Sequence, residues 1–368
     1  MDGALYLEDG SLFLGKIFGY PTQTSGEVVF STGMVGYPQS LTDPSYEGQI
    51  LVFTYPLIGN YGVPQKKYKN KILQNFESEK IQVKGLVVNE KVDDQSHWQA
   101  RQTLDCWLKQ EKIVGLWGID TRALTQKLRE KGVMLGKLGR FKIDDLRLKN
   151  GQFYDPNKEN LVAKVSCKKP IIYKNGPKKV LLIDCGVKMG IVRKLFALGL
   201  TIIRVPWDFD LVQTRWSKTT GFSYQDIDGV VISNGPGDPR LLSQTIKTVK
   251  KILGKKIPTL GICLGNQLMG LAAGGSIYKL KYGHRSVNQP VLLIGSKKAF
   301  ITSQNHGFAV DKKSLNSDWQ EWFINLNDET NEGIRHKYLP FMSIQFHPEG
   351  NPGPQDTSWI FEEFISLL

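Results

Sequence analysis

Residues 261–267 read Gly261-Ile262-Cys263-Leu264-Gly265-Asn266-Gln267, a cysteine with glycine two positions before and two positions after it. A nucleophile presented at a sharp turn from strand to helix needs small residues at those places. Larger side chains would collide as the backbone reverses in a strained conformation. The apolar run Thr259 to Ile262 supplies the strand, and Leu264, Leu268, Leu271 and Ala272 give the following helix a buried stripe. A helix N-terminus at that point favours a reactive thiolate. A cysteine among apolar neighbours is also simply a small buried hydrophobe, so the thiol needs partners before it counts as a nucleophile.

Such a thiol works with a base and with a carboxylate that orients the base. The chain has five histidines: His97, His284, His306, His336 and His347. His347 lies in Phe346-His347-Pro348-Glu349, directly after the strand-like run Met342 to Phe346. Pro348 stiffens the turn, and Glu349 can reach back to fix the tautomer and stabilise the imidazolium. His306 is a weaker competitor, because Asn305-His306-Gly307-Phe308 reads as a substrate-contacting loop. The other three read as satisfied surface histidines. A third element, Ser233-Asn234-Gly235-Pro236-Gly237-Asp238-Pro239, follows a buried strand and so falls at the carboxyl edge of a sheet, where open α/β sheets bind ligands. Its glycines permit close backbone approach, and its amides, with that of Leu264, could point at an oxyanion. Read alone, the segment could be merely a turn.

The elements that must position these groups change character along the chain. Near the N-terminus Ala4 to Leu7, the Glu8-Asp9-Gly10 turn and Leu12 to Leu14 predict a hairpin. Glu27 to Phe30 and Ile50 to Phe53 predict further strands, and Ser96 to Gln110 and a segment capped at Asp120-Thr121 predict helices. This is a mixed α+β domain over residues 1–163. Residues 164–179, with six lysines, Pro170, Gly176 and Pro177, read as a linker. Beyond it, Val180 to Asp184, Thr201 to Val205, Gly229 to Ser233 and Thr259 to Ile262 are brief apolar strands alternating with helical stretches such as Met189 to Leu198. That is the grammar of an α/β fold over 180–368 with a mostly parallel sheet flanked by helices.

Composition narrows the classes. The 368 residues are 40% hydrophobic and 23% charged, which excludes disorder and fibrous repeats. Cys106, Cys167, Cys185 and Cys263 form no C-x-x-C pair, so neither a disulfide scaffold nor zinc-finger spacing is present and no metal ligands are assigned. The net charge of +13 invites a nucleic-acid reading. The excess is spread evenly, however: residues 1–177 carry 25 basic and 19 acidic side chains, and residues 178–368 carry 23 and 16. No basic helix or aromatic RNA-binding motif accompanies it, so it reads as solvated faces. The uncharged stretch Ile257 to Tyr278 contains five glycines and a proline, which suits a buried strand, turn and helix better than a membrane span. Gly10 to Ile17 approaches a P-loop but places Ile17 where a hydroxyl should reach magnesium. The hairpin reading is preferred there.

Taken in order, Gly-x-Cys-x-Gly-x-Gln, Ser-Asn-Gly-Pro-Gly-Asp-Pro, Gln-Asn-His-Gly-Phe and His-Pro-Glu resemble the class I (triad) glutamine amidotransferases. Glu27 to Phe30, Met34 to Tyr37, Leu41 to Tyr46, Tyr55-Pro56, Ile58 to Asn60 and Gly118 to Arg122 resemble the small, glutaminase subunit of carbamoyl-phosphate synthase. The resemblance implies that Cys263 attacks the glutamine carboxamide, His347 moves the proton and Glu349 orients His347. It also implies that Leu264 and Gly235 hold the oxyanion, and that Gly237, Gln267, Asn305, Gly307 and Phe308 line the glutamine pocket. No cofactor is expected in this chain. ATP and magnesium belong to a large partner subunit, which combines the ammonia with bicarbonate for arginine and pyrimidine synthesis, and residues 1–163 would serve subunit interaction. Three positions depart from the family's common pattern: Asn266, where histidine is usual, Gly350, where alanine or serine is usual, and Gly33, often serine, whose glutamine contact is not carried over. The rival readings are a glutaminase serving another synthetase and a catalytically silent binding module. Lysine- and asparagine-rich composition without a transit peptide leads us to expect a plastid stroma, or else a bacterial cytoplasm.

Overall fold

A computed structural model describes residues 2–141, 153–210 and 223–368. The chain divides into two compact units, Met1–Lys67 with Asn75–Glu159, and Tyr68–Gln74 with Asn160–Leu368.

In the first unit, a sheet of short apolar strands closes on itself. Seven strands form a barrel in the order Asp2–Leu7, Met134–Gly139, Thr24–Ser31, Gln49–Phe53, Gly85–Val87, Val114–Trp117 and Leu12–Gly19. Leu5, Leu7, Val28, Ile50, Val52, Leu86, Leu116 and Leu138 are fully buried, and closure leaves no unpaired sheet edge. The predicted hairpin pairs Leu5 with Phe13 and Tyr6 with Leu12. The helix Thr121–Lys131 starts at Asp120, whose carboxylate accepts from the Ala123 amide, and it buries Leu124 and Leu128. The helix expected over 96–110 is shorter. Thr103 caps it, the helix runs Leu104–Gln110, and Ala100–Gln102 forms a strand instead. Trp98, within the expected helical span, is 77% exposed.

The second unit contains a ten-stranded sheet. Its order is Ile171–Tyr173, Thr201–Pro206, Lys179–Asp184, Gly229–Ile232, Thr259–Ile262, Phe341–Ile344, Asn331–His336, Trp319–Asn325, Ser276–Leu293 and Ala299–Asp311. The five strands from Thr201–Pro206 to Phe341–Ile344 are parallel, and every other pairing is antiparallel. Val180 to Ile183 and Val230 to Ile232 have no exposed surface, the mark of strands covered on both faces. Val249 and Ile252 from the helix Ser243–Gly254, and Leu264, Leu268 and Met269 from the helix Leu264–Ala272, join Leu181, Ile183, Val230 and Ile232 in one core. From Lys179–Asp184 the chain first adds Thr201–Pro206 on one side, then Gly229–Ile232 on the other. The strand order therefore reverses at this pair, and the carboxyl ends of both open into the crevice such reversals create.

The segment 164–179, expected as a linker, is part of this unit. Val162–Val165 is a short helix, and Ile171–Tyr173 pairs antiparallel with Thr201–Pro206 as an edge strand. The Cys167 amide donates to Asp184 Oδ2 at 2.7 Å. Lysines masked the apolar triplet Ile171-Ile172-Tyr173, which is long enough for an edge strand. No described helix is long and apolar enough to cross a membrane.

The Leu182 side chain is buried within this sheet. Leu182→Ala is expected to lower unfolding free energy by about 2–5 kcal/mol, whereas Leu14→Ala, at a side chain 70% exposed, should stay within about 0.5 kcal/mol. Urea denaturation distinguishes the two.

Candidate active site

The strand Thr259–Ile262 ends at Cys263, whose φ of 55° and ψ of −102° lie in a region that residues with a Cβ rarely occupy. The helix Leu264–Ala272 starts at the next residue. A Cβ on Gly261 would fall 2.6 Å from the Gly265 carbonyl oxygen, and one on Gly265 only 2.2 Å from that of Ile232. Both glycines are therefore required by the turn itself. The helix is buried around its first seven residues, Leu264 to Gly270, more completely than a single stripe implies, with Leu271 and Ala272 half-buried.

His347 follows the strand Phe341–Ile344, and its amide donates to the Ser303 carbonyl at 2.9 Å. Its Nδ1 lies 2.7 Å from Glu349 Oε1, with the Gly350 amide closing the turn onto the His347 carbonyl at 3.2 Å. Burial alone would depress the imidazole, but the Glu349 carboxylate outweighs it and holds His347 up at about 10. Nδ1 is thus committed to Glu349. Nε2, buried and without a hydrogen bond of normal geometry, is left for the Cys263 sulfur, which lies close enough to raise the ring's proton affinity further. Glycine at 350 also has a local reason. Its φ is +55°, and a Cβ there would meet the Pro354 carbonyl oxygen at 2.0 Å.

Two residues absent from the sequence reading complete this centre. Lys188 Nζ lies 2.8 Å from the same Glu349 Oε1, with both side chains withdrawn from solvent. Burial works against the Glu349 carboxylate, yet Lys188 and then His347 hold it well below the usual range. Lys188 is delivered by the turn after the strand Lys179–Asp184. Asp184 Oδ1 accepts from the Gly186 and Val187 amides, and the Lys188 amide donates to Asn234 Oδ1. The second residue is Gln345, whose Nε2 lies 3.6 Å from the Cys263 sulfur. Strand alternation was the available signal for it: Ser343, Gln345 and His347 share a face, between Met342, Ile344 and Phe346.

The remaining predicted residues distribute as follows. Gly235 passes so close to the elbow that a Cβ there would lie 2.0 Å from the Cys185 carbonyl oxygen and 2.8 Å from Leu264 Cδ2. Leu264, as first residue of its helix, has an amide with no intrahelical acceptor. Gly237 has φ +83°. Gln267 donates from Nε2 to the Phe308 carbonyl at 2.8 Å, and the Cys263 thiol points to the Asn305 carbonyl at 3.7 Å. Gly235, Gly237 and Gly307 are half-buried, whereas Cys263, His347 and Glu349 are buried. Asn305 to Phe308, expected as a loop, lie within the long strand Ala299–Asp311, paired with Ser276–Leu293. Asparagine, histidine and glycine there disguised an extended segment whose hydrogen bonds come from tertiary pairing.

His306 is no competitor for the base. Its Nδ1 meets the Phe308 carbonyl at 2.9 Å and its Nε2 meets Gln304 Oε1 at 3.1 Å, and burial depresses it well below its ordinary value. His284, expected on the surface, is buried. Its Nε2 lies 2.9 Å from Asp328 Oδ2 and its Nδ1 3.3 Å from Glu332 Oε1. Burial opposes the charge there, but these two carboxylates bring the ring to about 9. His284, His306 and Glu332 bring potential metal-ligating atoms within 4.8 Å of one another, all three tied into hydrogen bonds within the protein.

Two outcomes are expected. Lys188→Met breaks a buried ion pair and should cost about 3–5 kcal/mol. It should also move the acid limb of any Cys263-dependent activity to higher pH, because Glu349 loses the cation that holds its carboxylate down; urea unfolding and a pH–rate profile check this. His347 and His284 are raised above 6.5, so the stability they contribute is full below that pH and lost as pH rises through about 9 to 10. Melting temperature should fall over that window, and by less in His347→Gln.

Comparison with known proteins identifies the family. Residues 5–138 match the family model described as carbamoyl-phosphate synthase small chain, CPSase domain, and residues 181–367 match glutamine amidotransferase class-I. The chain is 47% identical over 370 residues to the carbamoyl phosphate synthase small chain of Pyrococcus furiosus, covering 100% of this chain and 97% of that one. It is 44% identical to the small chain of Metallosphaera sedula, covering 100% and 96%. It is also 48% identical to part of the multifunctional protein CAD of Squalus acanthias, covering 98% of this chain and 16% of that protein. With both of its units matched in order and nearly every residue aligned, the chain belongs to the family of carbamoyl-phosphate synthase small chains.

Proposed function

We propose that this chain hydrolyses L-glutamine to glutamate and ammonia as the glutaminase subunit of a glutamine-dependent carbamoyl-phosphate synthase. His347, made strongly basic by Glu349, takes the Cys263 thiol proton. The sulfur attacks the carboxamide carbon, and the carbonyl electrons move onto oxygen, where the amides of Leu264 and Gly235 receive the charge. As the carbon–nitrogen bond breaks, His347 returns the proton to the departing nitrogen and ammonia leaves. Water, deprotonated by His347, then attacks the glutamyl thioester. The carbon–sulfur bond breaks and the thiol is restored. Gly237, Gln267, Asn305, Gly307 and Phe308 hold the glutamine. Lys188 keeps Glu349 ionised throughout, so the imidazole keeps its orientation and its basicity.

The observation that carries this reading is the buried chain Lys188–Glu349–His347 ending at an elbow cysteine, in a member of this family. The ammonia passes to a large subunit that uses ATP and magnesium to make carbamoyl phosphate from bicarbonate, for arginine and pyrimidine synthesis. The match over residues 5–138 favours this partner over other synthetases. Residence in a plastid stroma, with a bacterial cytoplasm as the alternative, is a separate proposal that rests on composition alone.

Cys263→Ser is expected to lower ammonia release from glutamine by about 10³-fold or more. With the large subunit added, it should abolish glutamine-dependent carbamoyl phosphate synthesis while synthesis from ammonium salts persists. Undiminished glutamine hydrolysis by Cys263→Ser would overturn the assignment.

A further inference from the structure

Gln345 is fully buried beside the reacting sulfur, and its carboxamide can be held in only one sense. Its Oε1 accepts from Asn266 Nδ2 and from Gln267 Nε2, each at 3.2 Å. Gln267 is the donor whose sense is fixed, because a backbone carbonyl can only accept. Asn266 Oδ1 accepts from the Ser343 hydroxyl at 2.7 Å while its Nδ2 faces Gln345. Gln267 Nε2 also donates to the Phe308 carbonyl at 2.8 Å. Turning the Gln345 amide over would set its NH₂ against the Gln267 NH₂ and leave buried groups unpaired. Its Nε2 is therefore aimed at Cys263 Sγ, at 3.6 Å. Ser343, Gln345, Asn266 and Gln267 are at most 3% exposed, so the arrangement is withdrawn from bulk solvent.

We propose that Gln345 is a further catalytic residue of glutamine hydrolysis, donating an N–H to the Cys263 sulfur whenever that sulfur carries charge. It gains and loses no proton. Before attack it stabilises the sulfur from which His347 has taken the proton. In deacylation, when the thioester carbon–sulfur bond breaks and its electron pair returns to sulfur, the same N–H receives the developing charge. A donor in a dry site needs no reorganisation at that moment and counts for more than it would in water. Asn266 is then a positioning residue acting through Gln345: it is the polar link between Ser343 and the Gln345 oxygen, which gives asparagine at this position a specific task.

The inference rests on the glutaminase reading and is tested separately from it, using the full chain with its large subunit. Gln345→Met keeps the volume and removes the donor. It should lower kcat for glutamine hydrolysis about 10–100-fold, the range for a hydrogen bond to a charged group, with KM changed less than about threefold. Iodoacetamide alkylation of Cys263, defined as the part lost in Cys263→Ser, should slow at neutral pH and its pH profile should move upward. Should Gln345→Met fail to fold by circular dichroism, Asn266→Leu, which removes one of the two donors that aim the amide, is expected to show the same shift in the alkylation profile with a smaller loss in kcat. A folded Gln345→Met enzyme, or a folded Asn266→Leu enzyme where the first does not fold, with kcat within twofold of wild type and an unmoved alkylation profile would overturn the proposal. Loss of turnover in Cys263→Ser beside that result would leave the glutaminase reading standing.

Discussion

A carboxylate with no access to water depends entirely on its protein partners, and Glu349 has two on one oxygen: Lys188 and His347. An isolated buried carboxylate would take up a proton. The lysine prevents this, and the ionised carboxylate in turn sustains a basic imidazole against the cost of burial. The order of influence runs from Lys188 through Glu349 and His347 to the sulfur. The whole relay depends on two backbone turns, one after Asp184 and one at His347-Pro348-Glu349, that bring a cation and a base to the same oxygen.

The sheet supplies those turns at the right places. Parallel strands send all their carboxyl ends to one edge, and at the order reversal between Lys179–Asp184 and Gly229–Ile232 the loops diverge and leave a crevice. Lys188, Asn234, Gly235, Cys263 and His347 all come from loops or turns at the ends of these strands. The antiparallel extension contributes from another direction: Ser303 anchors the His347 amide, and Asn305 to Phe308 form the floor near the sulfur. Rigid strands, rather than loops, therefore carry the proposed pocket residues Asn305, Gly307 and Phe308.

Two of the three departures from the common family pattern, Gly350 and Asn266, become local packing statements. Glycine at 350 has left-handed φ and no room for a methyl group beside Pro354. Asparagine at 266 offers an acceptor oxygen and an NH₂ group, and each has a partner within a line of buried polar side chains from Ser343 to Gln345. Buried amides of this kind are worth having only when fully satisfied, because an unpaired one costs as much as a good hydrogen bond contributes.

Much of this protein is local enough to be written in the order of its residues. Glycines spaced about Cys263, the stiff His347-Pro348-Glu349 turn and the glycine loop after Ile232 are short-range constraints on backbone shape. Alternating strands and brief apolar runs likewise specify barrel strands and buried parallel strands through their own periodicity. What tertiary structure alone decided was long-range partnership. Lys188 looks like any other lysine until Glu349, 161 positions later, requires a cation. Gln345, just past the strand Phe341–Ile344, is an ordinary polar residue until Asn266 and Gln267 orient it. Ile171 to Tyr173 is lysine-flanked chain until Thr201–Pro206 offers an edge to pair with. Electrostatics and hydrogen bonding act across space without regard to sequence distance, so these partnerships were decided only when the chain folded.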